Sequence, residues 1–215
     1  MSNHNSLIYA AAGWSGFFTM AVELLGGRLL SPYFGSSIFV WGALIAVVML
    51  CLSAGYLAGG QLSLRNPSLS WLGVLLVGQA VLALPIIATG DLILEYTSYV
   101  MPDPRYGSTL GSMLLLGAPM VMAGMVAPYA TRLLISNLRG SGRAAGTLFF
   151  VSNIGSTAGT ILTSFYLVLY LEINTIILVL ISVSCAIGVI LLFFGRGGQE
   201  EFLLHPVKTA AIKEN

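Results

Sequence analysis

Glu23 stands about two-thirds of the way along an apolar run that begins at Leu7. A carboxylate at bilayer depth costs roughly 2.5–3.5 kcal/mol or more unless it is solvated or paired, so it marks a cation or proton site or an interhelical polar lock. Gly16, Thr19, Glu23 and Gly27 recur at helical spacing. They give one face of small residues plus the acid, and such a face packs inward against other helices. Arg28 is the nearest cation in sequence. Its offset of five residues puts it on a different face and disfavours a pair within the helix. Two readings of Glu23 and Arg28 stay open, a lock that fixes packing and a site that holds a cation or proton.

A second polar face lies between residues 150 and 165. Projected at ~100° per residue, Ser152, Asn153, Gly155, Ser156, Thr157, Gly159, Thr160, Thr163 and Ser164 fall on one side. Phe150, Val151, Ile154, Ala158, Ile161, Leu162 and Phe165 fall on the other, which faces lipid. Serines, threonines and the pair Gly155 and Gly159 suit close helix packing, as do Gly55 and Gly59 farther upstream. Asn153 asks for more, because an amide carries two donors and an acceptor that need partners. With Glu23 and Arg28, the ligand-binding or polar-lock candidates are therefore Asn153, Ser156, Thr157, Trp41 and Gln79.

Other chemistry finds no pattern to support it. His4 and His205 are each alone in a terminal segment, without a partner at catalytic or metal spacing. Cys51 and Cys185 sit in apolar stretches and read as small buried or lipid-facing residues. Met113, Met120, Met122 and Met125 surround Pro119, Gly124 and Pro128, a stripe that reads as adaptable packing beside a kinked backbone and not as a metal path. Gly195-Arg196-Gly197-Gly198 resembles a nucleotide loop only superficially, because it follows a membrane span and reads as a flexible exit. No catalytic residue, metal or cofactor is expected.

The elements that position these residues follow from composition. Of 215 residues, 57% are hydrophobic and 8% charged, whereas soluble domains are nearer about 25% charged. The net charge of +1 excludes nucleic-acid binding through a basic field. A span needs roughly 20 apolar residues, and six stretches qualify: Leu7–Leu30, Ile38–Leu62, Trp71–Leu94, Leu110–Leu134, Gly146–Tyr170 and Ile173–Phe194. Turn chemistry separates them at residues 31–36, Arg65-Asn66-Pro67-Ser68, Met101-Pro102-Asp103-Pro104 and Arg139-Gly140-Ser141-Gly142, with a very tight hairpin at Leu171-Glu172. Residues 95–108 read as a short, tyrosine-rich ordered cap. The expectation is an all-α integral membrane protein, a bundle of about six transmembrane helices over residues 1–195, with a short cytoplasmic tail at 196–215. The segment before Leu7 lacks the basic residues of a cleaved signal, so the first span is expected to remain. Arg65, Arg132, Arg139, Arg143, Arg196, Lys208 and Lys213 gather on one side, against Arg28 and Arg105 on the other. The positive-inside rule then places both termini in the cytoplasm, with the chain in the cell (inner) membrane.

A weak internal echo links the halves. Arg28-Leu29-Leu30-Ser31 precedes a span with Gly55 and Gly59, and Arg132-Leu133-Leu134-Ile135-Ser136 precedes one with Gly155 and Gly159. Three spans per copy would make a three-plus-three inverted repeat, which transporters use around a midplane site.

The order Glu23-x4-Arg28-Leu29-Leu30-x-Pro32-x-Phe34-Gly35-Ser36-Ser37-x3-Trp41, Gly55-x3-Gly59-Gly60, Pro128, Gly142-Arg143-x2-Gly146 and Ser152-Asn153-x-Gly155-Ser156-x2-Gly159 resembles the membrane domain of spermidine synthase-like proteins, also described as fused major-facilitator/spermidine synthase proteins. The resemblance covers spans one, two, four and five. It implies a bundle like half of a major-facilitator fold, which in that family is typically followed by a soluble aminopropyltransferase domain. No strand-borne glycine loop or acidic catalytic loop is present here, so no catalytic residue carries over.

Three functions follow as expectations. The first is a non-catalytic membrane module that anchors or serves a soluble aminopropyltransferase-like partner. The second is a small polyamine or cation transporter acting as a homodimer. The third is an accessory subunit of a larger membrane complex.

Overall fold

The computed structural model describes residues 3–65, 67–135 and 141–204. Asn66, Ser136, Arg139, Gly140, His205, Lys208 and Lys213, all used above, lie outside the described residues. The helices are α1 (Asn3–Phe34), α2 (Ile38–Leu62), α3 (Leu69–Val100), α4 (Pro104–Leu134), α5 (Ser141–Leu162), a π-helical turn (Thr163–Leu167) leading into α6 (Val168–Tyr170), and α7 (Ile173–Leu204). Among the described residues, six helical stretches are long and apolar enough to cross a membrane, so the chain is a multi-pass helical membrane protein.

Helix ends are where the sequence expectation needs correction. The first break does not start at Ser31, because α1 runs on through Pro32 to Phe34. It stops at Gly35, whose φ of 79° lies in the left-handed region and whose N–H donates to the Ser31 carbonyl at 2.9 Å. That is a single-bond glycine C-cap. The expected cap at residues 95–108 is mostly helix, since α3 continues to Val100 and α4 starts at Pro104. Pro104 begins the helix where a missing N–H is harmless, and the Asp103 carboxylate caps it by accepting from the Arg105 N–H at 2.9 Å. At 32 residues, α3 is roughly 48 Å long and overhangs a ~30 Å hydrocarbon core. Tyr96 and Tyr99 are exposed on this overhang and Tyr106 on the first turn of α4, as expected for side chains at headgroup level. Instead of a flexible exit at Gly195, helix α7 continues to Leu204, through Gln199, Glu200, Glu201 and Leu203, which are good helix formers. Span two and the tight hairpin at Leu171 and Glu172 fall where the sequence puts them.

Three close helix pairs hold the bundle: α1 with α5, α2 with α4, and α3 with α7, with α4 also lying along α3. Backbone meets backbone at glycines in each pair. Gly155 lies on Gly13, Gly55 on Val121 and Gly124, and Gly73 and Gly188 each face the other's carbonyl. Met120 is fully buried, the Met122 methyl fills the space over Gly78, and the Cys51 thiol lies 3.8 Å from the Met113 sulfur. These methionines pack, as their surroundings suggest.

A tyrosine ties the start of α3 to α4. The Tyr129 hydroxyl accepts from the Ser68 N–H at 3.0 Å and donates to the Ser68 carbonyl at 3.3 Å, and the residue is 0% exposed. Tyr129→Phe orphans both backbone groups. It is expected to cost about 1–3 kcal/mol, read as a lower unfolding midpoint in detergent and faster amide exchange at Ser68.

Candidate functional site

A cavity of about 290 Å³ opens between α1, α2, α4 and α5. Ser15, Gly16 and Thr19 come from α1, Tyr56 from α2, Ala123 and Ala127 from α4, and Ser152, Asn153 and Ser156 from α5. Helical spacing explains the α1 wall, since Ala12, Ser15, Gly16 and Thr19 share one face. Gly16 lets α5 come close, because a β-carbon there would strike the Ser152 carbonyl and the Ser156 hydroxyl. The small-residue face of α1 and the polar face of α5 thus meet along one side of the cavity.

The candidates separate into groups. Asn153 and Ser156 line this cavity. Thr157 is exposed, and its hydroxyl donates back to the Asn153 carbonyl at 2.9 Å. Glu23 is half-buried one turn beyond Thr19, and Arg28 is exposed. Neither forms a hydrogen bond or ion pair among the described residues. Arg28 instead borders an open recess of about 530 Å³ with Gly27, Ser31, Ser36 and Trp41, where the Trp41 ring covers Gly27. Thr19, Glu23 and Gly27 follow one another at one-turn intervals, so Glu23 stands between the cavity and the recess.

Gln79 lies outside the cavity, in the bundle's interior, at 0% exposure. Its side chain accepts from the Ser15 hydroxyl at 3.1 Å and donates to the Ser184 hydroxyl at 2.8 Å. It therefore ties α1, α3 and α7 together. Ser184 in turn donates to the Leu76 carbonyl at 3.2 Å. Ser15, Ser152 and Tyr56 are cavity residues that were not among the sequence candidates. Ser15 was accessible to the same reasoning, since it sits one turn before Thr19 on the face that carries Glu23. Among the described residues, no cluster of three or more His, Cys, Asp or Glu side chains could hold a metal ion.

Comparison with protein-family models, with curated proteins and with solved structures finds no match for this chain.

Proposed function

We propose that this chain is a non-catalytic, transporter-like membrane module that takes a small polar solute into the cavity between α1, α2, α4 and α5. The observation that carries the reading is the lining itself. Ser15, Thr19, Ser152, Asn153 and Ser156 converge on one space, with the unpaired Glu23 one turn further on. Polar groups at membrane depth need partners, and a solute or its water supplies them. The membrane-anchor role for an aminopropyltransferase-like enzyme, and the role of accessory subunit, rest on the sequence resemblance and on size, with no further support from the geometry.

A three-plus-three inverted repeat belongs to the same reading. In its support, α2 crosses onto α4 while α5 crosses onto α1, and Gly73 and Gly188 face each other reciprocally. The match is incomplete, because α3 lies along α4 whereas α7 touches α1 only lightly. α5 is the least buried of the six spans. Asn153 and Thr157 are exposed on it, as is Ser164 in the π-helical turn that follows, which fits a second copy completing the cavity as the other half of a carrier. The basic residues place both termini in the cytoplasm of a cell with the chain in its inner membrane.

The test is access of water to the cavity. In a Cys51→Ser, Cys185→Ser background, Ser152→Cys is expected to react with a water-soluble methanethiosulfonate, because only a hydrated thiol ionises to the reactive thiolate. Ile154→Cys, on the exposed apolar side of α5, is expected to stay inert. If both thiols stay inert in the folded protein, the cavity is dry and the reading is wrong.

A further inference from the structure

The Ser15–Gln79–Ser184 chain fixes which way the cavity's hydroxyl groups point. The Leu76 carbonyl can only accept, so Ser184 donates to it at 3.2 Å and accepts a hydrogen bond from the Gln79 Nε2–H at 2.8 Å. This turns Gln79 Oε1 toward Ser15, whose hydroxyl must donate to it, at 3.1 Å. Thr19 donates its own hydroxyl hydrogen to the Ser15 carbonyl at 2.8 Å. A hydroxyl has one hydrogen and two lone pairs. Both α1 hydroxyls on the cavity wall therefore have their hydrogen committed within the bundle and keep only lone pairs for a ligand. Ser15 and Thr19 are 4% and 7% exposed, so bulk water does not compete for that arrangement. On α4 the wall is Ala123, Val126 and Ala127, which offer no side-chain donor. Ser152, Asn153 and Ser156 on α5 and Tyr56 on α2 can donate or accept, so only the α1 wall is restricted to accepting, and an ionised Glu23 would add acceptors alone.

We propose that the cavity selects a hydrogen-bond-donating cation, a primary ammonium group, over an anion or a neutral molecule of the same size. Gln79 is a positioning residue that acts through Ser15. The inference rests on the solute-binding reading above and names the class of solute.

The experiment measures equilibrium binding of three four-carbon probes, diaminobutane, butanediol and succinate, to the full chain in nanodiscs of zwitterionic lipid. Diaminobutane is expected to bind at least about tenfold more tightly than either other probe, the factor that one good charge-assisted hydrogen bond supplies. Ser15→Ala should lose about tenfold for diaminobutane and little for butanediol. Gln79→Met frees the Ser15 hydrogen, and the ratio of diaminobutane to butanediol affinity should then narrow, which a merely structural residue would not cause. Equal or tighter binding of succinate or butanediol by the unaltered protein overturns the inference and leaves the solute-binding reading standing. Saturable binding of none of the three also overturns it. The thiol labelling then tells whether the cavity reading falls as well.

Discussion

Gly155→Leu is expected to leave little folded protein, with the survivors unfolding far below the unaltered chain in detergent. The reason lies in what a side chain would meet. Any β-carbon at Gly155 runs into the carbonyl, carbonyl carbon and α-carbon of Gly13, all of them backbone. Overpacking in a core that can shift flexible side chains costs about 1–3 kcal/mol. Here nothing flexible can yield, so α5 must leave α1, and the cost lies above that range. Total stabilities of about 5–15 kcal/mol leave little reserve for such a loss. Gly55→Leu should behave alike, because Val121 and Gly124 block it in the same way. Gly42 and Gly146 supply the controls, since a β-carbon at either meets nothing within 4 Å. Alanine at these two helical positions should not destabilise, and can gain up to about 1 kcal/mol from helix propensity. A melting temperature for Gly155→Leu equal to that of Gly146→Ala would mean that α1 and α5 do not touch.

Much of this architecture was legible because membrane spans are specified by composition more than by detail. Ile38–Leu62 falls where its apolar run begins and ends, and Gly55, Gly59, Gly155 and Gly159 all serve in close packing. Helix ends were read less well. Pro32 looked like a breaker, yet it sits near the end of α1, and Gly35 is the residue that terminates it. Apolar length says where lipid ends, not where the helix ends, so the overhang of α3 to Val100 was missed. The site was half legible. Periodicity within a single helix brought out Asn153 and Ser156, and both reach the cavity. Which helix faces which depends on contacts far apart in sequence, such as Gly55 with Val121 and Gly13 with Gly155, and one chain's periodicity carries no such information. Gln79 therefore reads from the sequence only as one polar candidate among several, although it joins Ser15 and Ser184 across separations of 64 and 105 residues.

Gln79 also gives a case where two effects of different size can be told apart. Gln79→Ala removes a fully buried side chain, and large-to-small changes in a core cost about 2–5 kcal/mol from lost contacts and the cavity left behind. It also removes two interhelical hydrogen bonds, and such bonds in a membrane average about 0.6 kcal/mol each, with a maximum near about 1.7. Ser184 keeps its bond to the Leu76 carbonyl, and Ser15 lines the cavity, where its freed hydrogen can meet water or a solute, so neither hydroxyl is stranded. Packing should therefore dominate. Gln79→Met keeps most of the volume while giving up both hydrogen bonds, and is expected to cost about 1 kcal/mol, close to the polar contribution alone. Gln79→Ala should then cost about 2–4 kcal/mol in the same unfolding experiment. If methionine proves as damaging as alanine, the polar network outweighs the packing. Combining Ser15→Ala with Gln79→Met separates the Ser15 bond from the rest. A coupling energy of about 0.5 kcal/mol or more shows that the bond contributes to stability, and strictly additive effects show that it does not.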